Sequence, residues 1–405
     1  MAVMSIEYAQ KRIKELQQAS EVRHLDPISI ADLGGCFFTL GDVEEAYKYT
    51  KHASEIIKDA GVLMNLGLIY KEMGRHAESV HCIEEAYWLN PNDNYIRLGY
   101  AEGLLKAGFW KQAWPIYAHA RPTQQGAHDD LRLPLEVVEW KEGPLPTGHR
   151  VIVINEGGTG DRFSYARWLP ELTRRGIDWV FFPYDELFPF FERIIPRNKL
   201  VKNGDEIVAT HWTTTFSLPA VLNAGPKEIP APLSFVALPE KIEKYKFKRI
   251  DQYPAVGLCW SAAELFQGGR KVRSMTEGQA MRLVCSTADK VHFVNLQYGI
   301  KMSQPVINVR INDWEDTAGL IANLDGVISV DTGVMHLSGA MNKKMATLLS
   351  GNSCWKFLNH TKQCPWYPTA TLFRNDGAGF ESAIDKTISA IRNENFFPQT
   401  DFVPA

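Results

Sequence analysis

Residues 326–340 read Gly326-Val-Ile-Ser-Val-Asp-Thr-Gly-Val-Met-His-Leu-Ser-Gly-Ala340, and this stretch decides the fold of the second half of the chain. The apolar run Val327–Val330 is typical of a short buried strand, and the apolar spacing after Gly333 is typical of a helix. A strand that turns sharply into a helix leaves free N–H groups and the positive end of the helix dipole at the turn. The turn can therefore bind an anion such as a phosphate, although a capped helix in any α/β domain has the same pattern.

The turn itself carries Asp331, Thr332 and Gly333, followed by His336 one helical turn later. The first two are good N-cap residues, and glycine lets a ligand approach the backbone closely. A carboxylate beside a diphosphate would repel it, so we expect Asp331 to shape the turn rather than to touch the phosphates. His336 can donate a hydrogen bond to a phosphate, or it can be a satisfied core residue.

The composition is that of an ordinary globular protein. The chain has 405 residues, of which 45% are hydrophobic and 22% are charged, and this length predicts two or three domains. The net charge of −3 argues against a general nucleic-acid binder. No apolar run reaches the roughly 18–20 residues that span a bilayer, and the start has no signal-peptide pattern. We therefore predict a cytoplasmic protein without a membrane span.

The six cysteines lie far apart and form no C-x-x-C pair. In a cytoplasmic protein this spacing indicates reduced thiols, neither a disulfide framework nor a zinc site. The sequence has no HExxH motif and no serine in a G-x-S-x-G turn. It therefore indicates no metal centre and no serine-based catalytic triad.

Small residues recur every 33 or 34 residues in the first 120 positions. This period, with glycine in one column and alanine in another, is typical of tetratricopeptide repeats, in which each unit is a helical hairpin. Glycine lies at the turn of each hairpin, and alanine lies where the helices cross too closely for a larger side chain. The two columns are Gly41, Gly74 and Gly108, and Ala53, Ala86 and Ala120.

We therefore predict a repeat domain at residues 1–120, with residues 4–20 as an extra helix that caps the stack. An unrelated helical bundle is the alternative. Such repeats bind peptides or mediate assembly and carry no chemistry of their own. Residues 121–148 are interrupted by proline and glycine and are predicted to be a linker, in which Trp140 packs against a neighbouring surface.

From residue 150 onward, short β-rich runs alternate with helical segments, which indicates an α/β architecture with two Rossmann-like lobes. Several runs are apolar without alternation, as expected for parallel strands covered on both faces. We place the first lobe at residues 149–250 and the second at 251–405, with a last helix over Phe380–Arg392 that packs back across the lobes. The predicted strands are Val151–Asn155, Trp179–Pro183, Ile207–His211, Ala255–Trp260, Val291–Gln297, Val327–Val330 and Met345–Ser350.

The first strand of this region ends in the glycine-rich turn Glu156-Gly-Gly-Thr-Gly-Asp161. Ligands of open α/β folds bind at this edge of the sheet. The turn contains G-x-G but lacks the third glycine of the dinucleotide fingerprint, so NAD is not indicated. Asp161 stands at the start of the following helix, where it can act as a general base or as a helix cap.

The second lobe has a cluster of cations after its first strand, at Arg270, Lys271 and Arg273. Such a cluster suits a diphosphate, because arginine can bond two oxygens at once. A solvated surface loop would carry the same charge. Two further features follow, a strand end at Leu296–Gln297 and a helix start at Asp313–Thr317.

A set of short motifs, in a fixed order, resembles the glycosyltransferases of family 9, which include the ADP-heptose:lipopolysaccharide heptosyltransferases. More closely, the chain resembles bacterial and phage proteins that fuse tetratricopeptide repeats to such a domain. The resemblance covers about residues 30–375. The motifs are Glu156–Asp161, Phe163, Ala166–Arg167, Leu169–Pro170, Arg273–Ser274, Leu296–Gln297, Asp316–Ala318, Asp331–Leu337, the tail Trp366–Arg374 and the linker Trp140–Gly143.

The resemblance implies a GT-B fold and a metal-independent, inverting transfer from a nucleotide-diphosphate sugar, without a cofactor. The family's aspartate after the first glycine turn, here Asp161, takes the proton from the acceptor hydroxyl. The family's basic residue, best matched by Arg273, neutralises the leaving diphosphate, and Glu315 and Asp316 lie where the family contacts the ribose. The implied donor-binding residues are Gly160, Arg270, Lys271, Arg273, Gln297, Glu315, Asp316, Asp331, Thr332, Gly333 and His336.

These features predict a glycosyltransferase whose repeats recruit the acceptor or a protein partner. The acceptor hydroxyl can belong to a protein, to a lipid-linked or lipopolysaccharide glycan or, in a phage, to a modified base of DNA. The alternative is a repeat scaffold that binds a nucleotide sugar but does not turn it over. Asp161 together with a basic residue among positions 270–273 favours the enzyme. A sugar-nucleotide epimerase would need further carboxylates in the cleft.

Overall fold

The first part of the chain is a stack of helical hairpins. The structure is a computed structural model that describes residues 4–22, 24–121, 131, 133–134, 136–247, 251–262, 273–351, 353–377 and 379–399. The helices of this first part pack against one another in chain order. They are α1 Ile6–Val22, α2 Pro27–Leu40, α3 Val43–Ile56, α4 Ala60–Glu72, α5 His76–Leu89, α6 Asn94–Ala107 and α7 Trp110–Ala120.

The repeat prediction is confirmed, and the structure explains why small residues recur. Gly41, Gly74 and Gly108 lie at the hairpin turns with φ of 90°, 74° and 92°, a backbone conformation that glycine adopts without strain. The three alanines of the second column are buried where the helices cross. Helix α1 precedes the first hairpin and packs against α2, as an added end helix does.

The first lobe is built on a four-stranded parallel sheet. Its strands are β1 Val138–Glu139, β2 Arg150–Ile154, β3 Asp178–Phe182 and β4 His211–Thr214. Its helices are α8 Thr159–Tyr165, α9 Leu169–Arg174, α10 Phe188–Phe191, α11 Leu218–Val221 and α12 Pro239–Lys244. The strand order is β1-β4-β2-β3, and β2 and β3 are buried along all but their first residue.

The second lobe is built on a six-stranded parallel sheet. Its strands are β5 Ala255–Cys259, β6 His292–Asn295, β7 Ile307–Asn308, β8 Gly326–Ser329, β9 Met345–Leu349 and β10 Ala370–Arg374. Its helices are α13 Glu277–Thr287, α14 Trp314–Ala322, α15 Gly333–Ala340 and α16 Glu381–Asn393. The strand order is β10-β9-β8-β5-β6-β7, and the middle strands are buried along their whole length. Repeats followed by a two-lobed, parallel-sheet α/β region confirm the predicted fold class.

The strands β7 and β10 are absent from the sequence prediction, and three further details differ from it. β4 begins at His211, where the predicted strand ended, because the threonine-rich segment 211–214 is the one that pairs with β2. β1 lies within the predicted linker and pairs with β4, so the first lobe begins before residue 149. Helix α16 packs against α13, β9 and β10, which all belong to the second lobe, rather than back across the two lobes.

Arg167 connects the two lobes. Its Nε donates to the carbonyl of Ser164 at 2.9 Å, and its Nη1 donates to the carbonyl of Trp366 in the second lobe. The guanidinium also lies 4.9 Å and 4.7 Å from the ring centroids of Trp366 and Tyr367. The buried guanidinium is bonded by carbonyls of both lobes and lies against aromatic rings of the second lobe, so it holds the two lobes together.

The repeat domain packs directly against the second lobe. A Cβ atom at the Gly74 turn would lie 3.6 Å from the carbonyl oxygen of Asp376. Lys106, on helix α6, is buried and donates to the carbonyl of Gly351 at 3.3 Å. The repeat domain and the second lobe, which begins with β5, therefore form one packed unit.

His76 lies near this interface, at the start of α5. Burial, followed by the charges of Lys106, Arg374 and Lys71, lowers the pKa of its imidazole to about 4. The unfolded chain binds this proton near pH 6.5, which is the ordinary pKa of histidine. The contribution of His76 to stability is therefore complete above that pH and is lost as the pH falls from about 6.5 toward 4.

We predict that His76→Asn makes the protein less sensitive to acid. From about pH 7.5 to about pH 5, the wild-type protein should lose about 1 kcal/mol more unfolding free energy than the variant, allowing for the partial exposure of the imidazole. Urea unfolding at both pH values measures this difference. His81→Asn is the matched control, because His81 is exposed on the same helix. This variant should lose as much unfolding free energy as the wild type does. An equal loss in all three proteins would contradict the assignment.

Candidate active site

Two helix N-termini meet in the cleft between the lobes. Helix α8 follows β2 and helix α15 follows β8, so both start at the carboxyl edges of their sheets. A Cβ atom on Gly160 would lie 3.0 Å from Gly333 Cα and 2.7 Å from the ring of His336. Position 160 therefore requires glycine, and the two turns that the sequence singled out are in direct contact.

The N-terminus of α15 is covered in this closed arrangement. Thr332 caps the helix, and its hydroxyl lies 2.8 Å from Ser329 Oγ. The indole of Trp314 lies over Gly333, where a Cβ atom would come within 2.5 Å of the ring. Anion binding at residues 331–333 stays a prediction, and in this arrangement Gly160 and Trp314 lie over the turn.

Lys356 joins the lobes through an ion pair with Asp161. Its Nζ donates to Asp161 Oδ1 at 2.7 Å, and the lysine side chain is 3% exposed while the aspartate side chain is 28% exposed. Burial alone would lower the pKa of Lys356, but the negative charges nearby, Asp161 foremost, raise it above its ordinary value. The lysine is therefore charged, and it neutralises the candidate base of the first lobe.

Sequence reasoning missed Lys356. It placed the basic group of the second lobe at residues 270–273, after β5, whereas Lys356 lies beyond β9 in the 3₁₀ turn Trp355–Phe357. The available signal was a lysine shortly after the carboxyl end of a predicted strand, on the edge where the other candidates lie. Its neighbours Trp355 and Phe357 are apolar and buried, so the segment has the composition of a core.

His336 stands between Lys356 and Asp331. Its Nε2 lies 3.3 Å from Lys356 Nζ and 3.4 Å from Asp331 Oδ1, and its Nδ1 lies 3.1 Å from the hydroxyl of Tyr367. Burial and the charge of Lys356 lower the pKa of His336, and Asp331 opposes this effect only in part. The imidazole is therefore neutral near pH 7 and is oriented from both sides.

A line of alternating charges crosses the cleft. Arg273 Nη1 lies 3.6 Å from Asp331 Oδ2, and the line continues through His336 and Lys356 to Asp161. Burial opposes ionisation of Asp331, but the hydrogen bond to His336 and the charges of Lys356 and Arg273 outweigh it and hold its pKa well below the ordinary range. Asp331 therefore organises cations around the turn, and the expectation that it does not touch a phosphate stays a prediction.

Gln297 and Glu315 have partners within the protein. Gln297 Oε1 accepts from the backbone N–H of Ser261 at 2.9 Å, so its side chain connects the ends of β5 and β6. Glu315 accepts from Arg193 of the first lobe at 2.8 Å and forms a second salt bridge between the lobes. Their assignment to donor binding stays a prediction.

Asp316 is a structural carboxylate in this arrangement. It is 1% exposed and accepts from Lys241 at 2.7 Å and from Lys244 at 2.8 Å, both on α12. Burial would raise the pKa of Asp316, but the two lysines lower it far below its usual value. It joins α12 to α14, and a ribose would have to compete with both lysines. Arg270 and Lys271 lie outside the described residues.

In the described part of the chain, the His, Cys, Asp and Glu side chains form no group of three or more with the arrangement of a metal site. The helices of the same residues include none with the length and hydropathy that a membrane-crossing segment needs. The cysteines at positions 36, 82, 259, 285, 354 and 364 are free thiols.

Two family models match the chain. Residues 274–381 match Glycosyltransferase family 9 (heptosyltransferase). Residues 60–93 match the tetratricopeptide repeat. The first match includes Asp331, His336 and Lys356, and the second spans the hairpin of α4 and α5. The resemblance inferred from the sequence motifs is therefore confirmed.

Relatives among curated proteins cover the chain to different extents. Protein FlbA of Caulobacter vibrioides is 25% identical over 329 residues, which are 72% of this chain and 54% of that protein. Human Protein O-mannosyl-transferase TMTC1 is 28% identical over 106 residues, which are 26% of this chain and 12% of that protein. The chain thus spans about half the length of the first relative and much less of the second.

Solved structures with a similar chain path include two transferases. ADP-heptose lps heptosyltransferase II of E. coli has a TM-score of 0.43 and 13% identity, over 61% of this chain and 98% of that chain. A mutant of the Thermobaculum terrenum O-GlcNAc transferase has a TM-score of 0.33 and 10% identity, over 96% of this chain and 87% of that chain.

We predict that Asp161 and Lys356 are strongly coupled in stability. In a double-mutant cycle with Asp161→Asn and Lys356→Met, the coupling energy from urea unfolding should lie between about 0.5 and 3 kcal/mol, as for buried contacting groups. The exposed lysine–aspartate pair Lys386–Asp376, substituted in the same way, is the control. Its coupling should stay below about 0.5 kcal/mol. Equal coupling in the two cycles would refute the buried pair.

Proposed function

We propose that the chain is an inverting glycosyltransferase that moves a sugar from a nucleotide-diphosphate sugar to an acceptor hydroxyl without a metal ion. The observation that carries the proposal is the ion pair between Asp161 and Lys356 at 2.7 Å, in the cleft where the two helix N-termini meet. The match of residues 274–381 to glycosyltransferase family 9 supports it.

Asp161 acts as the general base in this proposal. The acceptor hydroxyl gives its proton to the carboxylate, and the acceptor oxygen forms a bond with the anomeric carbon of the sugar. At the same time the bond between that carbon and the diphosphate oxygen breaks, and its electron pair leaves with the nucleoside diphosphate. Attack opposite to the leaving group inverts the configuration of the anomeric carbon.

Lys356 and Arg273 stabilise the leaving group. The nucleoside diphosphate gains negative charge as it departs, and buried, preorganised cations stabilise such charge more strongly than water does. Lys356 is already charged and buried, and Arg273 lies on the other side of Asp331. The two cations and the N–H groups of the turn at Thr332 and Gly333 supply the positive potential that a metal ion supplies in other transferases.

Donor binding comes before acceptor activation in this scheme. In the structure, Asp161 and Lys356 neutralise each other and the turn at Gly333 is covered by Gly160 and Trp314. A diphosphate that enters as the lobes separate attracts Lys356 and thereby frees the carboxylate of Asp161. Closure then excludes water, which would otherwise hydrolyse the donor.

The repeat domain recruits the acceptor or a protein that carries it. Tetratricopeptide repeats are interaction modules, and the described hairpins form one unit with the second lobe. The acceptor can be a protein, a glycan or, in a phage, a modified DNA base. A scaffold that binds a nucleotide sugar without turnover is the second candidate, since the same charges would bind the donor.

A thermal-shift panel of nucleotide sugars identifies the donor, because a ligand at 100 times its Kd adds about 2.7 kcal/mol to stability. With that donor in a buffer that contains EDTA, we predict that Asp161→Asn lowers transfer or donor hydrolysis by at least about 10²-fold. Donor affinity should not fall and should rise, because the carboxylate competes with the diphosphate for Lys356.

Asp178→Asn is the control for this experiment. Asp178 is half-exposed at the start of β3, at the edge of the sheet opposite to the cleft, so this variant should keep full activity. Full activity of Asp161→Asn would exclude the base assignment. Donor binding by the wild type without any turnover would favour the scaffold.

A further inference from the structure

Helix α7, the last helix of the repeat domain, is wedged between both lobes. Trp114 Nε1 donates to the carbonyl of Ala224 in the first lobe at 2.7 Å. Trp110 and Trp114 both pack edge-on against Trp355 of the second lobe, with ring centroids 5.2 Å and 6.0 Å apart. All three indoles are buried, so the contact is part of the core and not a surface association.

Trp355 connects this helix to both members of the charged pair. It directly precedes Lys356 in the chain, and its ring lies 6.4 Å from that of Tyr165. Tyr165 stands one helical turn after Asp161 on α8, and Lys356 Nζ lies 5.3 Å from its ring centroid. Displacement of Trp355 would therefore move the lysine relative to the carboxylate.

The repeats also contact the backbone on the lysine side of the cleft. Gly351, between β9 and Lys356, accepts the hydrogen bond from buried Lys106 at 3.3 Å. A Cβ atom on Gly351 would lie 2.7 Å from the carbonyl oxygen of Glu72 on α4. Two repeat helices, α4 and α6, therefore fix the segment that leads from β9 to Trp355 and Lys356.

The aspartate side of the cleft has its own contact with the end of α7. Arg121 forms an ion pair with Glu156, which is 2% exposed and begins the glycine turn that leads to Asp161. The guanidinium lies 4.6 Å from the ring centroid of Phe216. A Cβ atom on Gly157 would come within 2.6 Å of the same ring, so this turn is tightly enclosed.

We propose that α7 positions the catalytic pair, with Trp110 acting through Trp355 on Lys356 and Arg121 acting through Glu156 on the turn before Asp161. Trp110 and Arg121 are positioning residues, because each acts through another side chain and not on the reacting atoms. The inference rests on the proposed function, and it gives the repeats a second role besides recruitment. Sugar transfer then depends on the last repeat even when the acceptor is small and needs no recruitment.

Trp110→Leu tests the first contact, and Trp179→Leu is the matched control. Trp179 is an equally buried tryptophan of the first lobe, on β3, whose indole donates to Thr173 at 3.0 Å. With a small acceptor or water as acceptor, Trp110→Leu should lower kcat at least tenfold at saturating donor. Trp110→Phe should restore most of kcat. Trp179→Leu should lower the melting temperature by a similar amount and keep kcat within threefold.

Arg121→Gln provides a second variant, because Arg121 lies at the helix end and its loss leaves the tryptophan packing in place. It should also lower kcat at saturating donor, and Arg121→Lys should recover part of the loss. A folded Trp110→Leu or Arg121→Gln with wild-type kcat would overturn the proposal, as would equal kcat losses in Trp110→Leu and Trp179→Leu.

A readout without turnover separates this proposal from the proposed function. The stability coupling between Asp161 and Lys356 is measured again in the Trp110→Leu and Trp179→Leu backgrounds. Positioning by α7 predicts that the coupling is lost in the first background and kept in the second. Coupling that survives Trp110→Leu would refute positioning even if the protein transfers sugar, whereas an inactive wild type with the expected coupling would refute only the proposed function.

Discussion

The ion pair of Lys356 with Asp161 is the interaction on which the rest of the cleft depends. A buried lysine is costly unless a carboxylate meets it, and removing either partner leaves an uncompensated charge. The contact at 2.7 Å joins two lobes that are also connected by Arg167, by Arg193 with Glu315, and by Lys241 and Lys244 with Asp316. The close approach of Gly160 to Gly333 is what lets the pair form.

The same ion pair explains how the cleft can be closed and still contain the two charged groups that the proposed reaction needs. An unpaired carboxylate that faces solvent would act as a base whether or not a donor is bound, and an unpaired buried lysine would lose its proton. As an ion pair, the two groups keep their charges until a ligand competes with Asp161 for Lys356. In the proposed mechanism a diphosphate is such a ligand, and its binding turns a structural contact into a general base and a cation that stabilises the leaving group. His336, neutral and bonded to Tyr367, lies 3.3 Å from Lys356 Nζ and helps to orient it.

Local sequence patterns predicted much of the fold but fewer of the contacts. The glycine and alanine columns encode the repeats because each hairpin turn and helix crossing imposes its own local requirement. The buried strands are continuous apolar runs, whereas β1 is not predicted and β4 is predicted too early, because short edge or threonine-rich strands carry little signal. Lys356 was missed because its partner is 195 residues away in the chain. Asp316 has the pattern of a ligand-binding helix start, and only the tertiary structure brings Lys241 and Lys244 to it.

The affinity for the nucleoside diphosphate of the donor tests the competition for Lys356 most directly. Calorimetry would compare the wild type with Lys356→Met and Asp161→Asn. Competition between the phosphates and Asp161 predicts that Lys356→Met weakens binding at least about tenfold, the effect of losing about 1.4 kcal/mol. It also predicts that Asp161→Asn binds more tightly than the wild type, because Lys356 is no longer paired. Unchanged affinity in Lys356→Met, or weaker binding in Asp161→Asn, would contradict the account.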